Sequence, residues 1–187
     1  MKISKHISAT AGKIMQCGYR VRLKAEVDDV WWAVSRIGGQ TGYYYADGLW
    51  RLRGLMDQCF GGVGLRLGRR HPTELRVGDT LDFWRVLDVS PKKRLLLLAE
   101  MKFPGKALLD FKIDSLEAHH TDLQMLSCYF PKGLGGILYW YIFYPFHEWI
   151  FFGMLRGIAK AVEKPIVSGP ERFTPKPHDL CVFPSEH

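Results

Sequence analysis

The stretch Leu81 to Ile113, LDFWRVLDVSPKKRLLLLAEMKFPGKALLDFKI, decides the fold. Its apolar residues return at every second position, the repeat of strands with one buried and one wet face. Leu81, Phe83, Leu87 and Val89 share a face in the first strand; Leu95, Leu97, Ala99, Met101 and Phe103 do so in the second, and Ala107, Leu109, Phe111 and Ile113 in the third. Asp82, Asp88, Arg94, Glu100, Lys102, Asp110 and Lys112 fall on the opposite faces, as expected of an antiparallel sheet solvated on one side. Turn residues at Ser90 to Lys93 and at Pro104-Gly105 leave no room for helices between these strands. The reading extends to a meander over Gly61 to Phe130. One side chain breaks the alternation. Arg85 stands in register with the buried set, where an unpaired guanidinium is costly.

Downstream, Gly135-Gly136 precede ILYWYIFYPFHEWIFFGMLRGIAKAVE, a long helix predicted over Ile137 to Glu163. Nine aromatic residues fall between Tyr139 and Phe152, so the segment is apolar on nearly every side. A helix of this kind is wedged against a sheet, touches a membrane surface or spans a bilayer. Pro145, the pair His147-Glu148 and an upstream sheet that needs covering favour the first. The expected packing puts the aromatic residues mainly in the interior.

Upstream, YRVRLKA (Tyr19 to Ala25) alternates Val21, Leu23 and Ala25 with Arg20, Arg22 and Lys24, a strand with a cationic outer face. Asp28 or Asp29 is expected to cap a short helix ending at Gly38-Gly39, and a second helix is expected over Ala46 to Phe60. Five of the ten prolines fall after Lys164, where neither helical nor strand periodicity is expected to persist. The organisation read from the chain is an arm over residues 1–18, one domain over 19–163 and a proline-rich tail over 164–187.

The 187 residues suit one core rather than separate cofactor and substrate domains. An apolar content of 47% with 24% charged residues excludes global disorder. Cys17, Cys59, Cys128 and Cys181 form no CxxC pair, so reduced thiols and a cytoplasmic location are expected. The net charge of +7 with 13% aromatic residues raises nucleic acid or an anionic membrane as partners. Nucleic acid requires exposed stacking aromatics, which the predicted burial removes, so no nucleic-acid partner is expected.

Strand, two short helices, antiparallel meander and long C-terminal helix is the element order of the α+β helix-grip fold, in which a sheet wraps its last helix around a cavity. The strings GGVGLRLGRRHPTELRVGDTLDFWRV (Gly61 to Val86), AEMKFPGKALLDF (Ala99 to Phe111) and FPKGLGGILYWYIFYPFHEWIFFGM (Phe130 to Met154) resemble an uncharacterised domain family of the START-like (SRPBCC) superfamily. Tyr43 to Asp47 and Leu49 to Gly54 resemble its first half, and the resemblance spans roughly Val30 to Val162. It implies a cavity for a hydrophobic molecule. It also implies association with NAD(P)-binding Rossmann domains, to which such domains are often fused, so a separate oxidoreductase is a further partner class. The chain itself shows no dinucleotide fingerprint: after Gly62-Val63-Gly64 the third glycine is misplaced at Gly68, and the string reads as a twisted or bulged strand. No cofactor is expected.

The sequence supports a hydrophobic, optionally anionic, small molecule or lipid between sheet and helix. Arg85 is the candidate anchor for a carboxylate or phosphate; its alternatives are an internal ion pair with Glu148 or Asp57, or a side chain whose head escapes at the sheet edge. Phe83, Leu97, Met101, Phe111, Tyr141 and Tyr144 are the candidate wall. His147 is a candidate ligand contact, or the acid/base of an enzyme on a lipid-like or polyketide-like substrate, or simply a satisfied core histidine. Tyr141, Tyr144 and His147, three apart, are expected on one stripe. Glu100 and Lys102 are expected to form a solvated pair.

Overall fold

The structure, a computed structural model, describes residues 14–175 except residues 60, 63, 65–68, 103 and 118. Strand β1 (Met15–Leu23) leads into helices α1 (Val27–Ser35) and α2 (Asp47–Cys59). There follow β2 (Thr80–Leu81), β3 (Trp84–Ser90), β4 (Arg94–Ala99), β5 (Gly105–Leu116), β6 (His120–Pro131), helix α3 (Gly133–Val162) and β7 (Ile166–Phe173). The strands make one antiparallel sheet in the order β2-β3-β4-β5-β6-β1-β7. Helices α1 and α3 pack on each other and on one face of it. This is the α+β helix-grip architecture.

The alternation read from the sequence holds in β1, β4 and β5. Tyr19, Val21 and Leu23 are buried while Arg20 faces outward and donates to Glu171 of β7 at 2.7 Å. Leu95 and Leu97 oppose Phe111 and Leu109 across β4 and β5, and all four are buried. In β3 the alternation fails. Arg85 pairs with Leu98 and Val86 with Leu97, and the register then skips Leu87 and resumes at Asp88 opposite Leu96. One extra residue in one strand is a β-bulge, which reverses the parity before it. Trp84 and Val86 therefore point inward, and Arg85 points outward.

The outer face is not simply wet. Leu96, Leu108, Leu126 and Cys128 form a second buried cluster there. Beside it Arg94 clamps Asp110 at 2.9 and 2.8 Å and reaches Asp88 at 3.2 Å. Cys17 and Cys59 are free thiols, but Cys128 is disulfide-bonded, which corrects the expectation of uniformly reduced cysteines. Lys2, Lys5, Lys13, Arg66 and Cys181 lie outside the described residues.

Three further expectations are corrected. Helix α1 takes Glu26, not Asp28 or Asp29, as its N-cap, and the two aspartates sit in the first turn, where they favour the positive helix end. Of the glycine-rich string, Gly61, Gly62 and Gly64 are described and none is in a strand, while residues 63 and 65–68 lie outside the described residues. Gly61 and Gly64 take φ of 70° and 62°, and Gly64 donates its N–H to Asp57 at 2.9 Å. The proline-rich end does form a strand, β7, on the sheet edge next to β1, where Pro170 need not donate to a further neighbour.

Helix α3 has two unlike halves. From Ile150 onward, Ile150, Phe151, Met154, Leu155, Ile158, Ala159 and Val162 are buried. Before that, Leu134, Leu138, Tyr141, Ile142, Phe146 and Trp149 are exposed, which corrects the expectation of an interior aromatic helix. No helix among the described residues is long and apolar enough to cross a membrane. The tyrosine run docks on the buried half. A Cβ on Gly157 would meet the Tyr44 carbonyl at 2.3 Å, and one on Gly153 would meet the Tyr45 ring at 2.1 Å. Only glycine permits that approach.

Candidate functional site

Between the sheet and the first half of α3 lies a cavity of about 60 Å³. Its sheet side is formed by inward residues of β3 to β6, namely Trp84, Ala99, Ala107, Ser127 and Tyr129. Its helix side is Trp140, His147 and Phe151, which α3 brings to one face at spacings of seven and four residues, with Tyr139 beside them. Phe83 and Met101 close the β2–β3 side, and Trp50 and Arg53 of α2 form the remaining wall. Tyr129 and Trp140 stack across it with centroids 5.6 Å apart, and His147 stacks on Phe151 at 5.7 Å.

The lining is aromatic, but its polar atoms are distinctive. The ring nitrogen Nδ1 of His147 and the indole Nε1 atoms of Trp50 and Trp84 are buried without a hydrogen-bond partner among the described residues, and an unmet buried polar atom costs about 1–3 kcal/mol. Burial, then the nearby Arg53 guanidinium, push the His147 pKa down to about 4. Its imidazole is therefore neutral near pH 7. Arg53 lies over the Tyr139 ring at 5.4 Å. Arg53, His147 and the Trp50 N–H together offer a cation, a neutral imidazole and a donor to one space.

Helix α2 is lightly held. Only Trp50, Gly54 and Asp57 are buried along it, while Leu49, Leu52, Leu55 and Met56 are exposed. Its main tie is the Asp57 carboxylate, which accepts from the Lys102 N–H at 2.6 Å and the Gly64 N–H at 2.9 Å. An element with so few buried contacts belongs to the part of a fold that opens locally.

Of the residues singled out in the sequence, the structure brings Phe83, Met101 and His147 into this cavity and leaves five outside it. Arg85 is corrected most sharply. The bulge turns it outward, where it grips Glu100 at 2.5 and 3.0 Å and donates to the Gly78 carbonyl at 2.9 Å. Glu100 thus pairs with Arg85 rather than Lys102. Leu97 and Phe111 are fully buried core residues away from the cavity. Tyr141 is 63% exposed, and Tyr144 sits under Arg172 at 5.5 Å. Each three-residue step turns about 60° backward around a helix. Tyr141, Tyr144 and His147 therefore spread around α3 instead of forming one stripe.

Trp50 and Arg53 were not among the site residues expected from the sequence. The spacing Trp50, Arg53, Gly54, Asp57 was the available signal: it marks one face of an otherwise amphiphilic helix.

A wider, open groove of about 670 Å³ lies on the other side of α3, lined by Tyr44, Tyr45, Trp149, Phe152, Arg156 and Lys160 among others.

Residues 17–154 match the family described as protein of unknown function (DUF2867). No curated protein matches the chain. Among solved structures, the chain is similar to the Zhui aromatase/cyclase from Streptomyces sp. R1128, with 13% identity, a TM-score of 0.51, and coverage of 81% of this chain and 94% of that one. The Aha1 dimer from Colwellia psychrerythraea matches with 14% identity and TM-score 0.48, over 80% and 96% of the two chains. An HSP90 activator from Plasmodium falciparum matches with 11% identity and TM-score 0.47, over 83% and 99%. The architecture shared with the aromatase/cyclase is the helix-grip fold described above.

Proposed function

The chain belongs to the DUF2867 family, and on that footing we propose that it binds a hydrophobic small molecule with one polar or anionic group between its sheet and the first half of α3. The observation that carries this reading is the set of three unmet polar atoms among the described residues, His147 Nδ1, Trp50 Nε1 and Trp84 Nε1, beside Arg53 in an otherwise aromatic cavity. Most buried polar groups in a folded protein are satisfied, and here three unmet ones belong to the lining of one cavity. Arg53 takes the place first given to Arg85, meeting the ligand's carboxylate, phosphate or polarised oxygen. The rings of Trp84, Tyr129, Tyr139 and Trp140 face its apolar body.

The closed cavity holds about 60 Å³, while pockets for drug-sized ligands run to about 300–1,000 Å³. Entry therefore requires the α2 wall to swing outward, carrying Trp50 and Arg53 with it. The weak anchoring of α2 makes that motion inexpensive. Native mass spectrometry of the freshly purified chain tests the reading: it is expected to reveal a co-purifying small molecule that Arg53→Leu reduces. If the chain carries no adduct and binds none of a panel of aromatic and acyl carboxylates, the reading fails.

A catalytic variant of the same reading is favoured by the neutral His147 imidazole, whose protonation state suits a general base. An aromatic polyketide is the substrate class suggested by the aromatase/cyclase of like fold. Its check is turnover of such a substrate by the wild type and its loss in His147→Gln with binding retained.

A further inference from the structure

We propose that the solvent face of α3 is a docking surface for an anionic phospholipid bilayer. Leu134, Leu138, Tyr141, Ile142, Phe146 and Trp149 are exposed by 85, 62, 63, 54, 54 and 53%. Their spacing of three to four residues puts them on one stripe, opposite the face that carries Trp140, His147 and Phe151. Together they present roughly 600 Å² of contiguous apolar side chain, the upper range for a monomer surface and a mark of an interaction site.

The charge along the same face says what covers it. Continuing the helical spacing past Trp149 leads through Gly153 to Arg156 and Lys160, both exposed and on the wall of the open groove. Neither has an acidic partner among the described residues. The one acidic residue on α3, Glu148, sits at the edge of the stripe, about 20° around the helix from Tyr141, and is 3.8 Å from Arg172. Exposed Lys132 precedes the helix, and the chain as a whole carries +7. A purely apolar partner surface leaves this cation pair without a counter-charge. A bilayer with anionic headgroups meets both parts: the stripe enters the acyl boundary, Tyr141 and Trp149 sit at headgroup depth, and Arg156 and Lys160 meet phosphates.

α3 then lies tilted, its first half deeper than its second. The same half carries the cavity on its opposite side, so docking leaves the α2 wall facing away from the lipid. This surface stands independently of whether the cavity holds a ligand.

The test is co-sedimentation of the full chain with phosphatidylcholine vesicles with and without phosphatidylglycerol. Binding is expected only with the anionic lipid. Arg156→Gln with Lys160→Gln is expected to lower partitioning by about thirtyfold, and Leu138→Ser with Ile142→Ser by about tenfold or more. Because all four side chains are exposed, circular dichroism is expected to stay unchanged. No binding to anionic vesicles, or equal binding to neutral ones, overturns the proposal. So does a concentration-dependent dimer in analytical ultracentrifugation that Leu138→Ser with Ile142→Ser dissolves, which assigns the face to a second copy.

Discussion

The two halves of α3 differ in a way that inverts the usual relation between apolarity and burial. Gly133 to Trp149 holds most of the aromatic residues and is half open to solvent, while Ile150 to Val162, with Arg156, Lys160 and two glycines, is the half locked into the core. The cause is what lies opposite. The second half packs under α1, β1 and the Tyr43–Tyr45 loop; the first half faces a cavity and the lightly held α2. Burial follows available partners, and apolar surface beyond that supply points to binding rather than to stability.

The largest expected effect that separates the halves is on stability. Leu155→Ala, in the buried half, is expected to cost about 2–5 kcal/mol in chemical denaturation; a cost near zero would mean that the second half is not the anchor. A pH series probes the cavity side of the first half. The folded chain keeps His147 neutral down to about pH 4, whereas the unfolded chain protonates it near its ordinary value. Stability from this group is thus complete above about pH 6.5 and lost as pH falls towards 4, on the order of 3 kcal/mol in all. His147→Phe is expected to remove that acid sensitivity, seen as parallel urea midpoints for the variant across the same window.

Gly153→Ala gains about 1 kcal/mol in helix propensity but forces the Tyr45 ring away at a cost of about 1–3 kcal/mol. A net loss of about 1 kcal/mol is expected in thermal unfolding, with increased exposure of the tyrosine loop to proteolysis. Smallest is Ile142→Ser on the outer stripe, expected to stay within about 0.5 kcal/mol of wild type. A large loss there would make the stripe structural and erase the contrast.

Much of this architecture was legible in the residues. The alternation of β4 and β5 fixed their inner face because each strand offers charges only on the other side. The two early helices followed from their spacing. The bulge at Leu87 was not legible, since leucine suits either face, and one unseen residue moved Arg85 from the cavity to an outer ion pair. Exposure along α3 was hidden for a different reason: hydropathy reports what a helix could bury, while the lengths of facing elements decide what it does bury. The cavity itself was anticipated, and three of its lining residues with it. Arg53 and Trp50 were readable from their shared helical face, yet a cation among other cations draws no notice until its neighbours are known.

The central claim is that α3 uses its two sides differently, the inner one for a small hydrophobic ligand and the outer one for a surface. Titration of anilinonaphthalene sulfonate, an aromatic anion with a fluorescent response, separates them when run on the wild type, on Ala107→Trp, which fills the cavity from β5, and on Ile142→Ser. Saturable binding of a single equivalent is expected for the wild type, with loss in Ala107→Trp and retention in Ile142→Ser. Undiminished binding by Ala107→Trp together with loss in Ile142→Ser would place the probe on the outer stripe and contradict the inner site.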